Sequence, residues 1–176
     1  IRKMPKKAHP MDVARTAVSL MALEDKETKD NSPKANMRKA IRIFSKTPIA
    51  LAAFFRARKG KKMIAPKKNL SFSENFFYMC FGKVPSKEIV KAFDVSLILY
   101  AEHSFNVSTF TARTITSSLS DIHGAITGAI ASLKGPLHGG ANEEVMHMMN
   151  KIKKPENALN WINNALDQKA VVMGFG

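Results

Sequence analysis

The chain has 176 residues, 45% of them hydrophobic, and a formal net charge of +14 at pH 7. That length supports one good core, or a core with a smaller lobe, and a single cysteine, Cys80, rules out a disulfide framework and a Cys-based metal site. The charge excess lies wholly in residues 1–69, with 19 Lys and Arg against 5 Asp and Glu, while residues 70–176 balance 9 against 9.

The pattern is helical almost throughout. "HPMDVARTAVSLMALED" opens after Pro10 and repeats apolar residues at the helical period through Val13, Ala17 and Leu20. Residues 26–34 are polar, contain Pro33 and read as a loop. Residues 35–60 read as a helix that breaks or kinks at Pro48 and stops at Gly60. The densest basic cluster, "RARKGKK" at 56–62, ends this segment. It lacks interleaved aromatics beyond Phe54 and Phe55 and any zinc-finger, RNP-like or KH-like signature. A solvated basic face, or one that attracts a small polyanion, is therefore expected rather than a nucleic-acid site.

After a basic loop with Pro66, "LSFSENFFYMCFG" begins with Ser71 and Glu74 at capping-box spacing and ends at Gly82. Cys80 within it reads as a buried small hydrophobe. "VPSKEIVKAFDVSLILYAEHS" is a further helix, capped by Ser86 and reaching Ala101. "NVSTFTARTITSSL" reads as a buried helix despite its Thr content. "SDIHGAITGAIASLKG" is the cleanest late helix, with Ser120 as its cap. Gly124, Gly128, Ala131 and Ser132 leave one side smooth, which suggests close contact with another helix. "NEEVMHMMNKI" and "PENALNWINNALDQ" form a helical hairpin, the second arm offering Ala158, Trp161, Ile162, Ala165 and Leu166 as its apolar side. The longest apolar runs, "DVSLILYA" and "AITGAIASL", are too short to span a membrane. An all-α fold is expected.

Five histidines are the main chemical candidates. His9 precedes the first helix and reads as structural or exposed; His123 and His147 lie on helices. No His, Asp and Glu array falls on one face at metal-ligand spacing, so no metal is expected. His103, in "YAEHSFN", reads either as a hydrogen-bonded core histidine, with Glu102 and Asn106 as ordinary helix-end groups, or as a binding residue. His138 stands among Gly135, Gly139 and Gly140, just before a helix beginning near Asn142 and Glu143. Free N–H groups at such a helix start can receive an anion or a carbonyl oxygen, and a neutral imidazole beside them can donate to a developing enolate. A hinge, a ligand cradle and a plain loop all fit this stretch.

Three motifs in order, "SLILYAEHSFNVSTFTAR", "GAIASLKGPLHGGANEE" and "VVMGFG", resemble the citrate synthase family. "HPMDVARTAVS", "TPIALAAFFRARKG" and "LSFSENFFYMCFG" resemble its earlier helices, so the likeness runs through the whole chain. The resemblance implies a helical two-domain enzyme, with residues 1–138 in the large domain and 139–176 opening the small one. Such an enzyme works as a homodimer or an assembly of dimers. It joins oxaloacetate to acetyl-CoA and hydrolyses the thioester to citrate and CoA. No cofactor is permanently bound; acetyl-CoA or propionyl-CoA is a co-substrate. By this likeness His103 and Asn106 would bind oxaloacetate, His138 would stabilise the enol of the acyl-CoA, and Val171, Val172, Met173, Gly174, Phe175 and Gly176 would border the adenine and the approach to the acyl group. The smooth helix would lie in a subunit interface.

The family places a second catalytic His directly after "GFG", then a catalytic Asp and carboxylate-gripping Arg residues; none of these lies in the 176 residues. The chain therefore reads as an internal piece carrying half of an active site and inactive alone. A bacterial cytoplasmic location is expected, with the mitochondrial matrix as the alternative, and no nucleic-acid or membrane partner. "LYAEHSFNVSTFTAR" also resembles the 2-methylcitrate synthase branch, which accepts propionyl-CoA, and one methylene separates the two donors by only about 1–3 kcal/mol. A non-catalytic helical interaction module is the remaining alternative.

Overall fold

The computed structural model describes residues 1, 3–102 and 104–172. Among them are eight α-helices and no strand: α1 (Pro10–Glu24), α2 (Pro33–Arg58), α3 (Phe72–Phe81), α4 (Lys87–Tyr100), α5 (Val107–Thr116), α6 (Ile122–Leu133), α7 (Gly140–Ile152) and α8 (Ala158–Asp167), with a 3₁₀ turn at Pro155–Asn157. The chain divides into two compact units, Ile1–Ala131 and Ser132–Gly176.

In the first unit each helix boundary has a local cause. Ser32 caps α2, its hydroxyl accepting from Ala35 N. α2 ends in a Schellman turn: Lys61 N donates to Arg56 O, Gly60 N donates to Ala57 O, and Gly60 takes φ +69°. α3 has the full capping box, Ser71 Oγ accepting from Glu74 N while Glu74 accepts from Ser71 N at 2.8 Å. Gly82 stops it in the left-handed region at φ +81°. Gly60, Gly82 and the Ser71–Glu74 box were legible as residue patterns, whereas Ser32 was not: its segment reads as loop through Lys34, and α2 begins at Pro33.

Three expectations are corrected. α2 continues through Pro48 without a break. Proline removes one backbone hydrogen bond there, at a cost of about 3 kcal/mol, but packing against α1 and α3 on either side of it holds the helix together. α6 is capped by Asp121 rather than Ser120: Asp121 Oδ1 accepts from Gly124 N at 3.0 Å and Asp121 O from Ala125 N. α5 is helical but buries no residue, and Val107 and Phe110 are more than half exposed.

α1 packs on α2, α2 on α3 and α3 on α4. The core joins Val13, Ala14, Ala17 and Val18 of α1 to Ala35, Ile43, Ala52 and Phe54 of α2. Ala52 meets Met79 and Cys80 of α3, where burial pushes the Cys80 thiol pKa up. Phe93 of α4 stacks on Phe76 and meets Phe77 edge-on, at 5.6 and 5.1 Å. A Cβ at Gly128 would fall within the Ile115 side chain of α5, so this glycine leaves room for that side chain against α6. An apolar groove of about 570 Å³ lies among α2, α3, α4 and α6, lined by residues such as Phe44, Phe72, Leu97 and Ile126.

A part-buried polar cluster fixes the turn between α1 and α2. Asp25, the C-cap of α1, receives Arg42 Nε at 2.9 Å and Nη2 at 2.8 Å, and its Oδ1 also accepts from Glu27 N. Glu27 pairs with Arg42 at 2.7 Å and with Arg38. Lys39, fully buried, donates to Asp30 O at 2.6 Å. From α6, the buried His123 places Nε2 3.4 Å from Asp25 and Nδ1 3.5 Å from Asp121. The Arg42 hydrogen bonds hold the Asp25 carboxyl below the usual carboxylate range, and Arg38 does the same for Glu27.

Asp25→Ala leaves Arg42 and His123 without their shared partner, and we expect a loss of about 2 kcal/mol in denaturant melts. A loss below about 0.5 kcal/mol would show that the cluster is dispensable. Because the folded-state pKa of Asp25 is depressed, its contribution is complete above the unfolded value of about 3.9 and is lost as pH falls through the folded value. Asp25→Asn should accordingly flatten the acid limb of the stability profile. Ser71→Ala, which removes half of the capping box, should cost about 1 kcal/mol by the same measurement.

Candidate active site

The residues singled out for chemistry divide between the two units, and each is positioned by its own local structure. In the first unit, Asn106 is the N-cap of α5. Its Oδ1 accepts from Thr109 N at 2.8 Å, and the residue is half-buried. The capping role commits its carbonyl oxygen; the Nδ2 amide is the atom with which it would meet an anionic ligand. Just before it, Ser104 takes φ +41° and its N–H donates to the Glu102 carboxylate, a turn that brings the chain from α4 into α5. His103 lies outside the described residues.

In the second unit, α6 ends at Leu133 and the chain turns tightly before α7. Gly135 N donates to Ser132 O, and Gly135 O then accepts from both His138 N at 3.0 Å and Gly140 N at 3.2 Å. Ala141 N reaches His138 O and Asn142 N reaches Gly139 O. A Cβ on Gly139 would collide with Leu133 O, so only glycine permits the turn to close so near the end of α6. α7 starts at Gly140, and Gly139 supplies no side-chain cap.

This geometry corrects the expectation of open N–H groups at the start of α7. The amides of Gly140, Ala141 and Asn142 are spent on the preceding turn rather than turned outward. The stretch is a closed glycine turn, and what it presents is the half-buried His138 imidazole.

At the far end of the unit α8 is followed by a turn in which Lys169 takes φ +52°. Ala170 N donates to Ala165 O, Val171 is exposed and Val172 is buried. Met173, Gly174, Phe175 and Gly176 lie outside the described residues. On α8, Ala165 is buried and Trp161 and Ile162 are half-buried, whereas Leu166 is 61% exposed and Ala158 is exposed, so the apolar side is narrower than its spacing implied.

The other histidines have structural surroundings. His9 caps α1, its Nδ1 accepting from Met11 N at 3.2 Å. His147 is exposed and 4.0 Å from Glu143. His123, which sequence reasoning only placed on a helix, is a buried member of the Asp25 cluster. Its neighbour Asp121 was visible in the sequence, but its partner Asp25 is remote along the chain. Among the described residues no group of three or more His, Cys, Asp or Glu could hold a metal ion, and no helix is long and apolar enough to cross a membrane.

Comparison with known proteins covers both units. Residues 1–176 match the family described as citrate synthase, C-terminal domain. A "2-methylcitrate synthase 2" of Corynebacterium glutamicum is 53% identical over 181 residues, spanning 100% of this chain and 47% of that protein. A "2-methylcitrate synthase" of Mycobacterium tuberculosis is 50% identical over 176 residues, 100% of this chain and 44% of that protein. A "Citrate synthase" of Mycolicibacterium smegmatis is 49% identical over 176 residues, with coverage of 100% and 47%. Among solved structures, a Thermoplasma acidophilum citrate synthase in a ternary complex with carboxymethyl coenzyme A and oxaloacetate superposes with a TM-score of 0.82. It is 33% identical, covering 99% of this chain and 46% of that one. The Thermotoga maritima citrate synthase gives a TM-score of 0.80 at 38% identity, covering 99% and 45%.

The chain thus spans a little under half the length of these relatives, and its helices follow the architecture of their solved structures. With all 176 residues matched and the "KGPLHGGANEE" turn seated between α6 and α7, the chain belongs to the citrate synthase family.

Proposed function

We propose that the whole protein condenses oxaloacetate with a short acyl-CoA and hydrolyses the resulting thioester, releasing a tricarboxylate and CoA. The observation that carries this reading is the family match over every residue, which includes the glycine turn holding His138. In this account the His138 imidazole donates to the oxygen of the acyl-CoA enol, because the amides beside it are spent within the turn. Asn106, with Oδ1 engaged by its cap, offers Nδ2 to a carboxylate of oxaloacetate; His103 contacts the same substrate. Val171 to Gly176 border the CoA adenine and the approach to the acyl group. Residues 1–138 then belong to a large domain and 139–176 open a small one.

The relatives' names favour propionyl-CoA over acetyl-CoA as the donor: the Corynebacterium and Mycobacterium tuberculosis proteins, at 53% and 50% identity, are 2-methylcitrate synthases. Acetyl-CoA is the second reading, supported by the Mycolicibacterium smegmatis protein at 49%. A homodimer or an assembly of dimers in the cytoplasm rests on the family likeness. The apolar groove among α2, α3, α4 and α6 supports a further protein surface covering that face.

The donor is tested by kcat/KM of the whole protein with each acyl-CoA. A preference of about tenfold or more for propionyl-CoA is expected; a preference for acetyl-CoA would restore that reading. His138→Ala should lower kcat by about 10²–10³, and unchanged turnover would remove it from the chemistry. Asn106 separates its two duties. Asn106→Asp keeps an acceptor for Thr109 N and so its thermal stability, but should weaken oxaloacetate binding. Asn106→Ala should lose both, with about 1 kcal/mol of stability. The 176-residue polypeptide assayed alone should release no CoA.

A further inference from the structure

The turn that carries the chain from α4 into α5 combines an unfavourable backbone conformation with a side chain that supports it. Ser104 takes φ +41°, in the left-handed region, where a Cβ is disfavoured and glycine is the usual choice. Its N–H donates to the Glu102 carboxylate, so a single bond closes across position 103. Both residues are exposed, and water would satisfy the amide equally well. The bond therefore answers no demand of burial; its effect is to hold a strained turn in one shape.

On the α4 side, Ala101 N donates to Ile98 O and ends the helix. On the α5 side, the Phe105 ring lies 5.0 Å from the Arg113 guanidinium and meets Phe110 edge-on at 6.5 Å. Asn106 follows as the N-cap, committed to Thr109 N. Residue 101 is thus fixed to one helix and residues 105 and 106 to the next. The Glu102–Ser104 bond joins these two anchored ends. An acid at this place also needs a reason, because a free carboxylate beside a site for a dicarboxylate would repel it. Bonded to Ser104 N–H, that carboxylate is turned back on its own main chain, and part of its charge is answered there.

We propose that Glu102 is a positioning residue for oxaloacetate: without touching the substrate, its bond to Ser104 N–H fixes the turn on which Asn106 and, by the family likeness, His103 meet it. The inference rests on the reading above that this turn serves oxaloacetate. A turn held in shape beforehand spares the substrate the entropy of ordering it. The effect of Glu102 therefore falls on oxaloacetate binding rather than on the chemical step.

The test is isothermal titration of the whole protein with oxaloacetate, alongside CoA release at saturating oxaloacetate. Glu102→Ala should weaken oxaloacetate by about tenfold while kcat stays within about twofold, at an unchanged melting temperature. Glu102→Gln keeps an acceptor for Ser104 N and should lose less. Combining Glu102→Ala with Ser104→Gly separates the turn from the carboxylate. Glycine adopts φ +41° without support, so affinity should return to within about threefold of the parent. Normal oxaloacetate binding by Glu102→Ala would overturn the proposal, and so would a Ser104→Gly combination that restores nothing, because that makes the carboxylate itself the contact. Tighter binding by Glu102→Gln would also overturn it, by showing that the charge opposes the substrate. A parent protein that binds no oxaloacetate removes the functional reading and this inference together; a parent that binds it as well as Glu102→Ala does removes the inference alone.

Discussion

Arg42 and Asp25 meet in a bidentate ion pair, and the arrangement of the first unit depends on it. α1 ends where Asp25 leaves the helical conformation, and α2 brings Arg38, Lys39 and Arg42 to the turn on one face. Each of these cations takes an oxygen in the 25–30 segment, so a polar turn is held as firmly as a packed one. His123 extends the cluster to α6 and fixes the N-terminal end of that helix against the joint between α1 and α2. A part-buried cluster of this kind adds modest net stability, since desolvation opposes the attraction, but it excludes alternatives. A helix shifted by one turn would leave a charge without its partner.

Glycine has a second, distinct role. At Gly128 the missing side chain leaves room for the end of the Ile115 side chain, and at Gly139 it lets the chain turn back upon the end of α6. The second case bears on the proposed chemistry. A closed turn with its amides turned inward presents an imidazole rather than a main-chain anion hole. In the proposed reaction His138 is the group at this turn that would act on a substrate oxygen, and backbone hydrogen bonds of the turn hold its main chain.

Local features were legible in the sequence wherever the cause was local. Ser71 and Glu74, Gly60 and Gly82 announce their caps by residue type and spacing, and the structure uses them so. Ser120 and Asp121 are both good capping residues and adjacent, so spacing alone could not choose between them. The Pro48 expectation followed the intrinsic cost of proline, whereas packing on both flanks of α2 decides the outcome. Glycines around His138 were read as openness because conformational freedom is visible in a sequence and the acceptor that closes the turn, Gly135 O, is not. Asp25 and His123 could not be matched at all: nothing near either residue encodes the other, and only the packing of α6 beside the α1–α2 joint makes them neighbours.

The central claim is that His138, held by the closed turn between α6 and α7, acts on the acyl-CoA in an enzyme of the citrate synthase family. The most direct measurement is a crystal structure of the whole protein with oxaloacetate and carboxymethyl coenzyme A. The account predicts a His138 ring nitrogen within about 3 Å of the carboxymethyl oxygen, with His138 N and Gly140 N still bonded to Gly135 O. An imidazole turned away from the bound analogue, with main-chain amides of a reopened turn contacting it instead, would contradict the account.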